Sequence, residues 1–395
     1  MNIYVYEDDK ALDLGPLSNN RATFDIRIGS ETFLDRIKML FSEHTISLFV
    51  RDELEALTKE KHSGLKVNPK EIDEGLWLLG NVIWDKSDFK ILPDSETLFY
   101  NNNNLIGAFL SKTSGNDWIK SRSATPKVED QTVKESNHCP YLWDILSQIG
   151  HTLSSEFEKF ENHFKPSIYN GVEFINPENI FVGDNVLIQP TVLINAENGP
   201  IIIESDVTIF GQTYLEGPLY IGKNSLVKPL TQIKNSAFGP MCKIGGEINT
   251  VIIQGYSNKV HEGHLGDSFL GEWVNLGSGT QNSNLKINYS SVKVEINNKN
   301  IETNKIHIGA FIGDHTKTAI GTKLNSGSVI GLGSMIATDG FPPKLVNPFT
   351  WYINGEKRKV ILDKFFETAY HSMIRRNKTL SDLERALLEK LHNKI

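Results

Sequence analysis

Aliphatic residues recur at every sixth position along the second half of the chain. Ile203, Ile209, Leu215, Ile221, Val227 and Ile233 keep this step without a break. Val182, Ile188 and Ile194 form an earlier run, and Leu270 and Leu276 keep the step between them. Ile306, Ile312, Leu324, Ile330 and Ile336 form a later run, with Thr318 in the missing slot. An α-helix turns roughly 600° over six residues, so these positions would not form one stripe. A lone strand would show period two. A six-residue step fits a triangular coil in which each side is a short strand with one aliphatic pointing at the axis, about 18 residues making a turn. Glycine often follows the anchor, as in Val182-Gly183, Ile221-Gly222, Leu270-Gly271, Ile312-Gly313 and Ile330-Gly331. Its freedom at positive φ would suit a corner. The pattern predicts a parallel β-helix over 166–345.

The first 165 residues have a different texture. Residues 3–6 and 45–50 read as strands, and 30–42 and 52–60 as helices, the first with Ser30 as cap. Leu76 to Trp84, Thr97 to Tyr100 and Leu105 to Leu110 add strand-like pieces. The order predicts an α/β domain with a partly parallel sheet. Residues 111–137 are rich in Ser, Thr, Lys and Asn and read as a linker or long surface loop. Leu142, Ile145, Ile149, Leu153, Phe157 and Phe160 then mark one face of an amphipathic linker helix over 140–163. Beyond the repeats, 346–395 forms a helical tail, with helices at 358–377 and 380–392 that would cap the coil or pack between subunits. The repeat breaks at 285–305, which reads as a protruding loop or hairpin and, on that ground, as a functional candidate.

Composition narrows the function. The formal net charge of -7 argues against a nucleic-acid partner, which would call for a basic face. No apolar run nears the ~20 residues of a membrane span. Met1 to Asp9 turns acidic at once and lacks a signal-peptide profile, and Cys139 and Cys242 have no metal-ligand spacing. Together these features predict a cytoplasmic protein with free thiols.

The stretch from Glu247 to Lys286 carries the most chemistry. It holds Lys259, His261, Leu265-Gly266-Asp267, Asn275-Leu276-Gly277-Ser278-Gly279-Thr280 and Asn284. These residues resemble the acetyltransferase half of the bifunctional GlmU family, which acetylates glucosamine 1-phosphate and then forms a nucleotide sugar. Segments 254–259, 271–277 and 313–318 resemble GlmU-like sugar nucleotidyltransferase proteins more closely still. The resemblance runs over 165–345 and more loosely over 1–160. It implies that the coil is left-handed and trimeric, with the acyl-CoA between neighbouring coils.

The chemistry can be stated from the residues. An amine attacking a thioester must be neutral, so a base near pKa 7 helps, and histidine is the natural choice. The resemblance gives that role to His261. The tetrahedral intermediate needs an N–H donor at its oxyanion, and the family uses the backbone at the position of Ser278. Asn275 and Asn284 would hold the sugar and acyl groups. His264 stands where the family often has tyrosine, and Asp314 where it has a small residue near the cofactor. Lys243 and Lys259 are candidates for the sugar phosphate by placement. Lys317 and Lys323 are candidates for the coenzyme A phosphates.

The N-terminal domain lacks the Gly-x-Gly-Thr-Arg loop and Pro-Lys with which such nucleotidyltransferases cradle phosphates. It offers Gly15 in Leu14-Gly15-Pro16-Leu17, with Arg21 and Arg27 as candidate phosphate ligands. Asp8 and Asp25 are candidates for Mg²⁺. The reading is an acetyl-CoA-dependent N-acetyltransferase acting on an amino-sugar 1-phosphate, with glucosamine 1-phosphate the foremost candidate. The N-terminal domain is either active in nucleotidyl transfer with UTP or dTTP, or a remnant that only positions substrate. The rival gives nucleotidyl transfer the main role and makes the coil an oligomerisation or regulatory scaffold.

Overall fold

The computed structural model describes residues 1–120, 125–160 and 165–395. At the N-terminus, strand Asn2–Tyr6 lies between two parallel neighbours, Thr45–Phe49 and Gly75–Leu79. Asn104–Leu110 joins antiparallel to Gly75–Leu79, within a seven-stranded sheet. Ile3, Val5, Leu76, Trp77 and Leu78 are buried, as the parallel part of a sheet covered on both faces requires. Helix Phe33–Leu40 is capped by Thr32 rather than Ser30. Thr32 Oγ1 accepts the Asp35 N–H at 3.2 Å, and the Asp35 carboxylate accepts the Thr32 N–H at 3.3 Å. Ser30 instead donates its N–H and hydroxyl to Glu156, at 2.8 and 2.7 Å.

The polar stretch 111–137 is part of this domain, not a linker. Ser111 caps helix Lys112–Ile119, of which only Gly115 and Trp118 are buried. That exposure explains its polar texture. Gln131–Val133 extends the sheet beside Thr97–Asn101, while residues 121–124 of the stretch lie outside the described part. The linker helix is two helices, Leu142–Leu146 and Ile149–Phe157. Leu142, Ile145, Ile149 and Leu153 are buried as its apolar stripe predicts, and its last residues, 161–163, lie outside the described part.

From Glu173 the chain winds into a parallel β-helix. One inward column runs Ile188, Ile209, Val227, Ile244 and Lys259 in register on successive turns. The anchors from Ile203 to Ile233 are at most 1% exposed. Later turns are shorter than three hexads, since Val227 pairs with Ile244 and Ile244 with Lys259. The six-residue step therefore drifts after Ile233. Ile306 is not an anchor: it is 47% exposed, and the inward run begins at Ile312.

The glycines after the anchors serve a different purpose from the one their position suggests. Gly183, Gly222, Gly271, Gly313 and Gly331 do not adopt positive φ. A Cβ on Gly331 would lie 2.3 Å from the Pro348 nitrogen, and one on Gly222 would lie 2.7 Å from the Gly239 carbonyl carbon. They are required because the next turn passes close by. Left-handed φ falls two residues later, on Asn185, Asn224, Trp273, His315 and Gly333.

The break at 285–305 is a hairpin, Lys293–Ile296 with Lys299–Glu302. Its Val292, Val294 and Ile296 are buried in the hydrophobic cluster of the N-terminal domain, so it braces the two halves instead of protruding. In the tail, helix Leu362–Met373 packs Phe365 and Phe366 against Leu332 and Phe349 at the end of the coil. Helix Asp382–Asn393 reaches back to the N-terminal domain, with Lys394 Nζ donating to Glu53 and Ser381 Oγ to Glu60 at 2.7 Å.

Gly331→Ala should cost about 1–3 kcal/mol of stability, because the coil cannot open to admit the methyl. Gly64→Ala, where nothing lies within 4 Å, should be close to neutral. Urea unfolding of the two variants checks this, and equal losses would contradict the close-approach account.

Candidate active site

Strand alternation sorts the residues of one coil face. Leu226, Lys243, Asn258, Asn275 and Lys317 follow one another in register, each beside an inward residue. They point away from the axis. Helix Leu362–Met373 and the turn Ile374–Arg376 lie over this face, leaving a cleft of about 590 Å³. His261 and Asn275 both line it. His261 is exposed, and its ring has no hydrogen-bond partner among the described residues. Asn275 Oδ1 accepts from Asn258 Nδ2 at 3.2 Å, and Asn258 Oδ1 accepts from Arg376 Nη2 at 3.2 Å. The tail thus orients Asn275 through Asn258.

The cleft is cationic. Lys228, Lys243, Lys317, Arg375 and Arg376 line it, and no Asp or Glu does among the described residues. Burial, then Arg376, Arg375 and Lys228, lowers the Lys243 ammonium below the usual lysine range. Burial pushes Lys317 down to about 8, and its Nζ donates to the Trp273 carbonyl. Burial and Arg375 lower Arg376 as well. Like charges crowd here without a carboxylate to neutralise them, an arrangement that favours an anionic ligand. Sequence reasoning missed Lys228, Asn258, His371, Arg375 and Arg376. The Arg375-Arg376 pair closing an amphipathic helix was the available signal.

Ser278 lies one turn from His261 and is held to the same corner, its Oγ donating to Glu262 Oε1 at 3.0 Å. Its backbone N–H donates to no carbonyl among the described residues. Lys259 is not in the cleft. It occupies an inward anchor position, 1% exposed, and its Nζ donates to the carbonyls of Gly245, His261 and Glu262. Its spacing of six from Ile253 and from Leu265 was the sign of this. His264 and Asn284 belong to another part of the coil and do not line the cleft. His264 Nδ1 lies 3.3 Å from Glu247 Oε1, and Asn284 Nδ2 donates to Asp267 Oδ2 at 2.6 Å. Lys323 is exposed, also away from the cleft.

Several expectations for the N-terminal domain are overturned by the seam between the two halves. Arg21 and Asp314, expected at a nucleotide and a cofactor, form a buried ion pair with each other. Asp314 also accepts from Asn20 Nδ2 and from the Glu272 N–H, both at 2.9 Å. Arg27 lies over Tyr220 and donates to the carbonyls of Gly29, Ser30 and Gln254. Both guanidinium groups are committed to structure. Gly15 ends a short 3-10 turn, its N–H donating to Leu12 O at 2.9 Å, and forms no phosphate loop.

Asp8 and Asp25 do not meet. Asp25 is paired with Lys61 and His62 in the seam, which hold its carboxyl well below the usual range against its burial. Asp8 lines a separate cavity of about 240 Å³, with Lys10, Asn103 and His138, just beyond strand Asn2–Tyr6. Burial raises Asp8 to about 6. Among the described residues no three His, Cys, Asp or Glu side chains gather to hold a metal. The expected Mg²⁺ ligands therefore do not fit a shared ion.

A β-helix of hexapeptide type joined to an α/β domain, with a histidine-bearing cationic cleft, defines the class. Residues 3–164 match the family model for sugar nucleotidyl transferase. A bifunctional sugar-1-phosphate nucleotidylyltransferase/acetyltransferase of Sulfurisphaera tokodaii is 36% identical over 171 residues, 41% of this chain and 40% of that protein. The bifunctional protein GlmU of Carboxydothermus hydrogenoformans is 27% identical over 205 residues, 43% of this chain and 40% of that protein. The bifunctional protein GlmU of Acholeplasma laidlawii is 24% identical over 295 residues, 68% of this chain and 57% of that protein. The chain thus spans between two-fifths and three-fifths of the length of these curated relatives. Over these spans it is similar to GlmU-like proteins. No helix among the described residues is long and apolar enough to cross a membrane.

Two outcomes follow for the seam. Arg21→Met should destabilise the protein by about 3–5 kcal/mol, because it strands the Asp314 charge. Adding Asp314→Asn should recover much of that loss, as denaturant midpoints will show. His315, stacked on Trp273, is pushed down to about 3 by burial. The unfolded chain therefore binds a proton that the folded chain refuses between about pH 6.5 and that value. Stability should fall as the pH drops through this window, by up to about 1.4 kcal/mol per unit from this group. His315→Phe should flatten the slope of melting temperature against pH, and an unchanged slope would contradict the assignment.

Proposed function

We propose that the chain transfers an acetyl group from acetyl-CoA to the amine of an amino-sugar 1-phosphate, with glucosamine 1-phosphate the first candidate. The observation that carries this reading is the pairing of an unengaged His261 with Asn275 in a cleft rimmed by cations. Both ligands are phosphorylated, and the cleft has five Lys and Arg side chains to meet them. The names of the relatives, which include acetyltransferase, support it.

His261 takes a proton from the attacking ammonium group, and the neutral amine adds to the thioester carbonyl. The Ser278 N–H donates to the oxyanion that forms. The intermediate collapses, the C–S bond breaks, and the thiolate leaves with the proton that His261 returns. The extra proton still on the nitrogen then passes to the freed His261 and on to solvent, leaving the neutral amide. Asn275 holds the sugar or acyl group beside the base, and Lys243 and Lys317 meet phosphate. His264 and Asn284 lie outside this cleft, and a neighbouring copy in a homotrimer would bring them to it.

A second activity, nucleotidyl transfer to the sugar 1-phosphate with UTP or dTTP, is supported by the family match over residues 3–164. The cavity beside Asp8 lies beyond the carboxyl end of a parallel strand, where such sheets take ligands.

The test is free thiol release from acetyl-CoA in the presence of glucosamine 1-phosphate. Wild type should turn over, and His261→Ala should lose about 10²-fold or more in kcat. Absence of thiol release from the wild type with any amino-sugar phosphate would overturn the proposal.

A further inference from the structure

The inward column contains one residue out of character. Ile188, Ile209, Val227 and Ile244 fill four successive turns with aliphatic carbon, and the fifth position is Lys259. It is 1% exposed. Burying an ammonium is costly unless its donors are met, and an apolar residue of similar length would fill the space without that cost. All three N–H donors of the ammonium are accounted for. They reach the carbonyls of Gly245 at 3.1 Å, His261 at 2.6 Å and Glu262 at 3.3 Å.

Two of those carbonyls belong to the corner that carries the imidazole. Among the described residues neither accepts a backbone hydrogen bond, because residues 261–263 form a bend outside the strands. The ammonium thus supplies from inside the coil the bonds that the ladder gives elsewhere. The corner also has a second attachment, since the Glu262 carboxylate accepts from Ser278 Oγ at 3.0 Å. The Gly246 backbone makes room for the arrangement: a Cβ there would lie 3.0 Å from Lys259 Nζ and 2.8 Å from the His261 carbonyl.

We propose that Lys259 is a positioning residue: its buried ammonium gathers the His261 and Glu262 carbonyls and thereby fixes the direction in which the His261 ring enters the cleft. The clamp itself is a statement about the folded chain, and its catalytic effect rests on the acetyl-transfer reading above. Burial pushes Lys259 only down to about 8, so the clamp is charged at neutral pH.

The test substitutes Lys259→Met in the full chain, which keeps the length and removes the donors. Lys259→Gln, which keeps two N–H donors, is the second variant and decides the matter if the methionine variant does not fold. Two readouts need no turnover: amide hydrogen exchange at 261–263, and the His261 ring resonances in histidine-labelled protein. The account predicts cooperative melting, exchange at the corner at least tenfold faster in the methionine variant, and shifted or broadened His261 resonances. The glutamine variant should fall between it and wild type. Where acetyl transfer is measurable, kcat should fall at least tenfold with KM for acetyl-CoA within twofold. Lys259→Met/His261→Ala should then be no slower than His261→Ala alone, since both changes remove the same base.

Unchanged exchange and unchanged His261 resonances in a folded variant would overturn the clamp. Losses in kcat that multiply in the double variant would overturn its action through His261. A wild type without acetyl transfer would remove the catalytic reading, while exchange and resonances would still decide whether the clamp exists.

Discussion

The backbone ladder between successive turns is the constraint on which the rest of this molecule depends. Each turn must come close enough for its N–H groups to reach the carbonyls of the next, as Lys243 N reaches Ser257 O at 3.0 Å and Asn258 N reaches Val274 O at 2.9 Å. That proximity excludes a side chain at Gly222, Gly271 and Gly331, where a Cβ would run into the neighbouring turn. It also brings residues distant in sequence into line. Lys243, Asn258, Asn275 and Lys317 come from four separate passes of the chain, yet stand as one outward row. A scaffold this regular can hold a site rigidly, because each outward side chain is placed by the turns above and below it.

Around that scaffold the remaining parts act as braces. The N-terminal domain is held to the coil by the buried Arg21–Asp314 pair, by Arg27 with Gln254, and by the apolar hairpin residues from Val292 to Ile296. The tail closes the cleft with Arg375 and Arg376 and then returns to the N-terminal domain. The same commitments take Arg21 and Arg27 away from a nucleotide, while Lys10 stays in the cavity beside Asp8. In the coil the unengaged histidine and the crowded cations point the same way.

How much of this could be read from the residues depended on whether local spacing carried the information. The coil was legible because its period is a direct image of the triangular cross-section, and the aliphatic anchors from Ile203 to Ile233 face the axis. The purpose of the glycines was not, since a close approach by a residue 17 positions away, such as Pro348 beside Gly331, leaves no local mark. Arg21, Arg27 and Asp314 looked like ligands because isolated charges do not reveal their partners across the seam, such as Asp314 for Arg21 and Gln254 for Arg27, which lie more than two hundred residues away. Lys259 was misjudged for another reason. Its charge outweighed its place in the step Ile253, Lys259, Leu265, although that step fixes which way it points. The tail residues Arg375 and Arg376 were overlooked because the return of the helix across the coil face is a tertiary event.

The central claim is that the His261 cleft takes the phosphorylated ligands, and the histidines provide probes to test it. His261 and His371 line the cleft, His315 lies in the seam, and His138 lies in the N-terminal cavity. The most direct measurement is a titration of coenzyme A into histidine-labelled protein, followed by the ring resonances. The account predicts that His261 and His371 move together with saturation while His138 and His315 stay in place. Saturable movement of His138 or His315 with His261 unmoved would contradict it.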